Sequence, residues 1–159
     1  MESDPHLFRP GNVTAATRRE AAQLIAERLE RLADGRDKHC PNTWEAVAKS
    51  LNLSVRYYHE LGLDRGFSMP RIFCDSGLVG GGIGINTAYT EREQCEAWVH
   101  ELAHMILAAW LPPQLTESAD ACCYIGDHDE VAHDISRITE QLILIADANI
   151  DEERKRTAI

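Results

Sequence analysis

The stretch EAWVHELAHMILAAWL, residues 96 to 111, is almost entirely apolar, yet it carries His100, Glu101 and His104 in its middle. A run of this length with apolar residues on most sides predicts a buried helix. Burying two imidazoles and a carboxylate is costly unless another group satisfies them. The stretch therefore predicts a helix at the centre of the fold that also carries chemistry.

The five letters HELAH match the pattern H-E-x-x-H, which places two histidines one helical turn apart on the same face. Both imidazoles can then reach one ion, and Zn²⁺ accepts such nitrogens at about 2.0–2.1 Å. Glu101 lies about 100° around the helix from His100, beside the ion rather than on it. The pattern thus predicts a Zn²⁺ cofactor bound by His100 and His104, with Glu101 as the general base that deprotonates a metal-activated water.

Length and composition are those of an ordinary soluble globular domain, with 159 residues, 44% hydrophobic residues and a net charge of −10. An acidic body repels phosphate backbones, so direct nucleic-acid binding is not expected, whereas a basic protein partner is compatible with this charge. Five cysteines without framework spacing indicate reduced thiols and a cytoplasmic protein. Neither a signal peptide nor a membrane span is expected, and the oligomeric state is left open.

The chain is expected to hold one metallopeptidase domain over residues 14 to 150, between a flexible arm over 1 to 13 and a charged tail over 151 to 159. Helical periodicity recurs in four segments, and two of them begin with capping-box patterns, Asn42 with Glu45 and Thr90 with Glu93. The predicted helices cover 15–34, a short stretch from 42, 90–111 and 129–148; the predicted strands cover 54–60, 71–76 and 83–86. This order predicts an α+β fold with a small mixed or antiparallel sheet.

The segment GLVGGGIGIN, residues 77 to 86, has three consecutive glycines that predict a turn or a bulge before an extended strand resumes. This strand has two possible roles. It is either an ordinary hairpin strand or an edge strand beside the cleft that holds substrate by main-chain hydrogen bonds. In the second role, the substrate-binding residues are Gly82, Ile83, Gly84, Ile85 and Asn86.

A catalytic zinc site needs a third protein ligand and one open position. Glu130 and Asp134 read E-x-x-x-D, which resembles the second motif of the glutamate-zincins, where the glutamate binds zinc and the aspartate supports a ligand histidine. Glu130 is accordingly expected as the third ligand and Asp134 as the residue that supports a ligand histidine. Asp129 and His128 are the alternatives, and Glu130 is otherwise a helix cap.

Four more side chains near the start of the last helix are candidates for contacts with substrate or with the oxyanion of the reaction. Each of them is otherwise an ordinary surface residue. They are Tyr124, His128, His133 and Arg137.

The block GIGINTAYTEREQCEAWVHELAHMIL, followed about 25 residues later by an acidic helix, resembles the ImmA/IrrE family of small bacterial and phage metallopeptidases. WEAVAKSLNLSVRYYHELG resembles the upstream helix–strand segment of that family, and the likeness covers roughly residues 43 to 146. The resemblance implies a zincin-like fold, zinc bound by two histidines and one acidic residue, and cleavage or inactivation of a DNA-binding repressor. By position, these roles fall on His100, His104 and Glu101.

One feature departs from the pattern of that family. Its later helix usually reads acidic–Ala–Asn/Asp, whereas VAHD puts Val131 just before Ala132, and valine cannot bind a metal. The third ligand is therefore assigned from the E-x-x-x-D pattern instead.

Two hypotheses follow. The first is a zinc-dependent endopeptidase that hydrolyses a peptide bond in a protein substrate, a DNA-binding transcriptional regulator. The alternative is a non-catalytic, zinc-stabilised module that binds and sequesters a regulator. Glu101 favours the enzyme, because a structural zinc site needs no base and fills its fourth position with protein.

Overall fold

The computed structural model describes residues 15–74, 77–110 and 130–145, with side chains except at 70–80, 109, 110, 130 and 145. Four helices accompany a mixed sheet of three strands, so the expected α+β class is confirmed. The elements in chain order are α1 (Ala15–Ala33), α2 (Pro41–Ser50), β1 (Ser54–Tyr58), β2 (Gly66–Cys74), β3 (Gly77–Asn86), α3 (Glu91–Trp110) and α4 (Glu130–Glu140), which continues as a π-helical turn over Gln141–Ile145.

The helix starts follow local chemistry in different ways. At α3 the predicted capping box is confirmed, because the hydroxyl of Thr90 accepts a hydrogen bond from the Glu93 amide at 3.2 Å and donates to the Glu93 carboxylate at 2.9 Å. At α2 the prediction of Asn42 as cap is wrong. Cys40 is the N-cap residue without any side-chain cap bond, and Pro41 occupies the first turn, where its fixed φ favours the helix.

Strand β3 lies in the middle of the sheet, parallel to β1 and antiparallel to β2. The antiparallel register is the same before and after the glycines, with Met69 opposite Gly82 and Arg71 opposite Gly80. No residue is inserted between these pairs, so the chain does not turn here and the predicted turn is wrong. Gly81, midway between the pairs, has a φ of 87°, so the strand is locally irregular at the glycines. Pro70 falls in the gap between the two pairs, a position suited to a residue without an N–H on an edge strand.

The central place of β3 also corrects the expectation that residues 82–86 form an edge strand. They pair with β1 on one side and with β2 on the other, so their backbone groups are not free for a substrate. Gly81 uses the backbone freedom of glycine, with a φ of 87°. Gly82 and Gly84 serve close packing instead, because a Cβ at Gly84 would collide with the ring of Phe67, and one at Gly82 would collide with the hydroxyl of Ser54. Within the described residues, β2 and β1 are the edge strands.

Helix α3 forms the centre of the core, where it packs on β2 and β3 from one direction and on α1, α2 and α4 from others. Burying these apolar side chains supplies the main favourable term for folding. The largest fully buried ones include Trp44, Trp98, Ile25, Leu29, Ile83, Ile85 and Leu102. Within the described ranges, every helix falls short of the length and apolar character that a membrane crossing demands.

Candidate metal centre

Three imidazole rings converge between α3 and α4. His100 and His104 come from α3 and His133 comes from α4, with ring centroids 4.8 Å, 5.3 Å and 5.1 Å apart for the pairs 100–104, 100–133 and 104–133. One potential ligand atom of each ring lies within 4.8 Å of those of the other two. The three histidines are thus close enough to bind one metal ion.

The geometry of the α3 pair fits a cation. The Nε2 atoms of His100 and His104 are 3.1 Å apart, close to the roughly 3.3 Å expected between two nitrogens on a tetrahedral Zn²⁺ with Zn–N bonds of about 2.0–2.1 Å. Nδ1 of His104 is buried and has no hydrogen-bond partner among the described residues. Two converging nitrogens on buried rings are stabilised when a cation occupies the space in front of them.

Glu140 contacts the far side of His100. Its Oε2 lies 2.7 Å from Nδ1 of His100, which leaves Nε2 of that ring directed at His104. Burial lowers the pKa of His100, but the hydrogen bond to Glu140 and the charges of Glu101 and Glu140 outweigh burial, so the pKa is raised. A carboxylate behind a metal-binding histidine fixes the tautomer and the orientation of the ring. Glu140 is the last α-helical residue before the π-helical turn, a conformation found frequently at functional sites.

Glu101 is buried beside the histidines and hydrogen-bonds the side chain of Ser68, a buried residue of β2. Burial raises the pKa of Glu101, while the charge of His100 and the Ser68 hydrogen bond act in the opposite direction. A carboxyl group with a raised pKa is better matched to accepting a proton near neutral pH than an exposed one.

His104 differs from its partner on the helix. Burial, together with the charges of His100 and His133, lowers the pKa of His104 to about 3. Its ring is therefore neutral near pH 7, which is the form that binds metals.

The three histidines line a cavity of about 410 Å³ between β2, α3, α4 and the loop that precedes β2. The volume falls within the range of small-molecule and peptide-binding clefts. The residues that line it are Asp64, Arg65, Gly66, Phe67, Ser68, Ala97, His100, Glu101, His104, His133 and Glu140.

The loop wall of the cavity is fixed by Asn86 at the end of β3. Its side-chain nitrogen donates to the backbone oxygens of Glu60 and Asp64 at 2.8 Å and 3.2 Å. Its side-chain oxygen accepts from the backbone amides of Glu60 and Ala88 at 3.2 Å and 3.0 Å. All four hydrogen-bonding positions of this fully buried amide are used inside the protein, so Asn86 serves the loop rather than a substrate.

The structure brings some of the predicted site residues together, and others lie outside its described part. His100, Glu101 and His104 lie together as expected, and His133, expected to contact substrate or oxyanion, stands with its ring beside both histidines. Glu130 is the first residue of α4, but its side chain lies outside the described part. Asp129, His128 and Tyr124 also lie outside the described residues.

Asp134 and Arg137 are occupied by ion pairs on the surface of α4. One carboxylate oxygen of Asp134 accepts from Arg18 of α1 at 3.1 Å, and the other accepts from Arg137 at 2.5 Å. The hydrogen bonds from both arginines lower the pKa of Asp134. Among the described residues, the carboxylate that contacts a histidine of the centre is that of Glu140, and Asp134 ties α4 to α1 instead.

Sequence reasoning missed Glu140 and Ser68. A usable signal existed for Glu140, because a spacing of seven puts it on the same helix face as His133. Ser68 had no such signal, because a lone serine in a short strand is ordinary and only the packing of β2 on α3 brings it to Glu101.

Comparisons with protein-family models, with curated proteins and with solved structures find no match to the chain in any of the three. The function of the molecule must be inferred from the residues and from the geometry of the cavity.

Proposed function

We propose that this chain is a zinc-dependent endopeptidase with a zincin-like domain of the ImmA/IrrE type. The observation that carries the proposal is the buried cluster on α3, where Nε2 of His100 and Nε2 of His104 converge at 3.1 Å with Glu101 beside them. Glu101 is buried and has no ion pair within the described residues. A buried carboxylate of this kind favours catalysis, because a purely structural zinc site gains nothing from it.

His133 is the third ligand in this proposal, because its ring lies within reach of the same point as the two rings of α3. Glu130 remains the competing prediction for that role. Both residues lie on α4, so either choice closes the site between the same two helices. A three-histidine set leaves one position open in a tetrahedral zinc site.

A bound zinc ion would lower the pKa of a water molecule in the open position and polarise the substrate carbonyl. Glu101 takes the proton from the attacking water and then gives it to the leaving amine. Ser68 holds the Glu101 carboxylate in place by its hydrogen bond, and Glu140 holds the His100 ring. The apolar surroundings of α3 limit competing water around these groups.

The proposed substrate is a protein, and more specifically a DNA-binding regulator. The net charge of −10 attracts a basic partner and accelerates encounter at low salt. Strand β2 borders the cavity through Gly66, Phe67 and Ser68, and in the described part of the chain its second edge has no neighbouring strand. That edge can bind an extended linker of the regulator by main-chain hydrogen bonds.

The test is to incubate the zinc-loaded protein with regulators encoded beside its gene, and with the Glu101→Gln variant as control. The variant should retain zinc but lose turnover by about 10²–10⁴-fold, because only the general base is removed. Cleavage at a defined linker that stops with chelator and with this substitution supports the proposal. Equal cleavage by both proteins would reject the mechanism, and equal binding without any cut would favour a sequestering module.

A further inference from the structure

The loop from Glu60 to Arg65 contributes Asp64 and Arg65 to one wall of the cavity, and its position is determined by the fold. Besides the Asn86 hydrogen bonds, the hydroxyl of Tyr58 donates to the backbone oxygen of Asp64 at 2.7 Å. The backbone of Asp64 thus has two donors on a single carbonyl, and the residue lines the cavity. A side chain carried on such a fixed backbone can select among substrates at low entropic cost.

The two charged residues at the end of this wall differ in how their charges are compensated. The guanidinium of Arg65 is neutralised by α3, with ion pairs to Glu96 at 3.0 Å and to Glu93 at 3.3 Å, and it stacks over the ring of Tyr89 at 5.7 Å. The carboxylate of Asp64 has no hydrogen bond or ion pair within the described residues. The uncompensated charge on this wall is therefore negative.

The faces of β2 determine which groups accompany that charge in the cavity. Gly66 and Ser68 face α3 and line the cavity, whereas the ring of Phe67 lies over Gly84 and Tyr58 on the opposite face of the sheet. Asp64 lines the same cavity at the end of this strand. An unpaired carboxylate on the wall of a cleft attracts a long basic side chain, whose methylene stem can lie along the wall while its head meets the charge.

We propose that Asp64 is a specificity-determining residue that selects substrates with a lysine or arginine close to the scissile bond. The inference rests on the proposed peptidase function and names the substrate class for it. It makes the basic segments of a DNA-binding regulator the preferred targets.

The experiment measures binding of three fluorescein-labelled octapeptides that differ only at one central position, occupied by lysine, alanine or glutamate. Zinc-loaded Glu101→Gln protein is used throughout, so that no peptide is consumed. The lysine peptide should bind at least about fivefold more tightly than the glutamate peptide, the effect of one partly solvated charge pair. Adding Asp64→Asn should bring this ratio close to one.

The matched control is Glu60→Gln, which removes the same charge from the same exposed loop, outside the cavity lining, and should leave the ratio unchanged. An equal loss in both variants would mean that only the overall charge matters and would overturn the proposal. So would equal affinity for the three peptides, or failure of all of them to bind. Hydrolysis is assayed separately with Glu101 intact, so selective binding without hydrolysis would retain the role of Asp64 while rejecting the peptidase.

Discussion

Helices α3 and α4 face each other across the candidate metal centre, but they differ in how exposed their titratable residues are. Between residues 97 and 107 every side chain of α3 is buried except that of His100, which is half-buried. In α4, buried Ala132 and Ile135 alternate with accessible His133 and Arg137, as in any helix at a surface. The titratable residues in the apolar run of α3 therefore demand an explanation, whereas His133 at an accessible position of α4 does not, and this is why the α3 half of the candidate centre is the more visible in the sequence.

The largest expected loss of zinc binding is that caused by a substitution at His104. We expect His104→Ala to abolish stoichiometric zinc binding, because the buried Nε2 that meets His100 is removed and no other described donor of α3 can replace it. The loss of affinity should exceed the roughly 10–100-fold caused by removing an outer hydrogen-bond partner of a ligand. Metal analysis of the purified, folded variant is the measurement. Full zinc occupancy would show that α3 does not hold the ion.

Two variants, His133→Ala and Glu130→Ala, measure how α4 contributes to zinc binding. We expect the larger loss of zinc affinity in His133→Ala, since its ring already lies 5.1–5.3 Å from those of His104 and His100. Competition with a chromophoric chelator gives both affinities on one scale. The reverse ranking would restore the glutamate as third ligand and with it the glutamate-zincin pattern.

The smallest expected effect concerns the support that α4 gives to α3. Glu140→Gln should weaken zinc binding by about 10–100-fold, because a neutral amide stabilises the His100 ring less than a carboxylate does. Asp134→Asn is the control on the same helix, since it removes a negative charge that contacts Arg18 and Arg137 but no histidine. Equal zinc affinities of these two variants would contradict a positioning role for Glu140.

The fold was predictable where helical periodicity carries the information, and at α3 also from the cap. The sequence limits of α1 and the capping box of α3 agree with the structure to within a residue or so. Gly82 and Gly84 of β3 were misread because their purpose lies in other segments: Phe67 and Ser54 occupy the space that side chains at Gly84 and Gly82 would need. Local reasoning finds backbone freedom in a glycine, which Gly81 uses with its φ of 87°, whereas only the paired strands show the close approach at the other two.

The residues of the candidate site were likewise predictable only where the information lies within one helix. His100, Glu101 and His104 belong to one helix, where spacing alone determines which side chains share a face. His133 and Glu140 meet that face only because α4 packs on α3, and the angle and register of that packing depend on the whole core. Motifs within one element can be read from the chain, but the partners that complete them across an interface cannot.

The hydrogen bonds of the Asn86 side chain affect how easily the loop beside the cavity unfolds locally. Loops beside binding clefts are commonly the first segments to lose their structure in local fluctuations. Here the loop cannot detach without breaking three of the four hydrogen bonds of the buried Asn86 amide, each costing about 1–3 kcal/mol if left unsatisfied. The loop therefore shares the cooperative unit of the sheet, and hydrogen exchange should find it protected alongside β3. The cleft keeps its wall for as long as the protein stays folded.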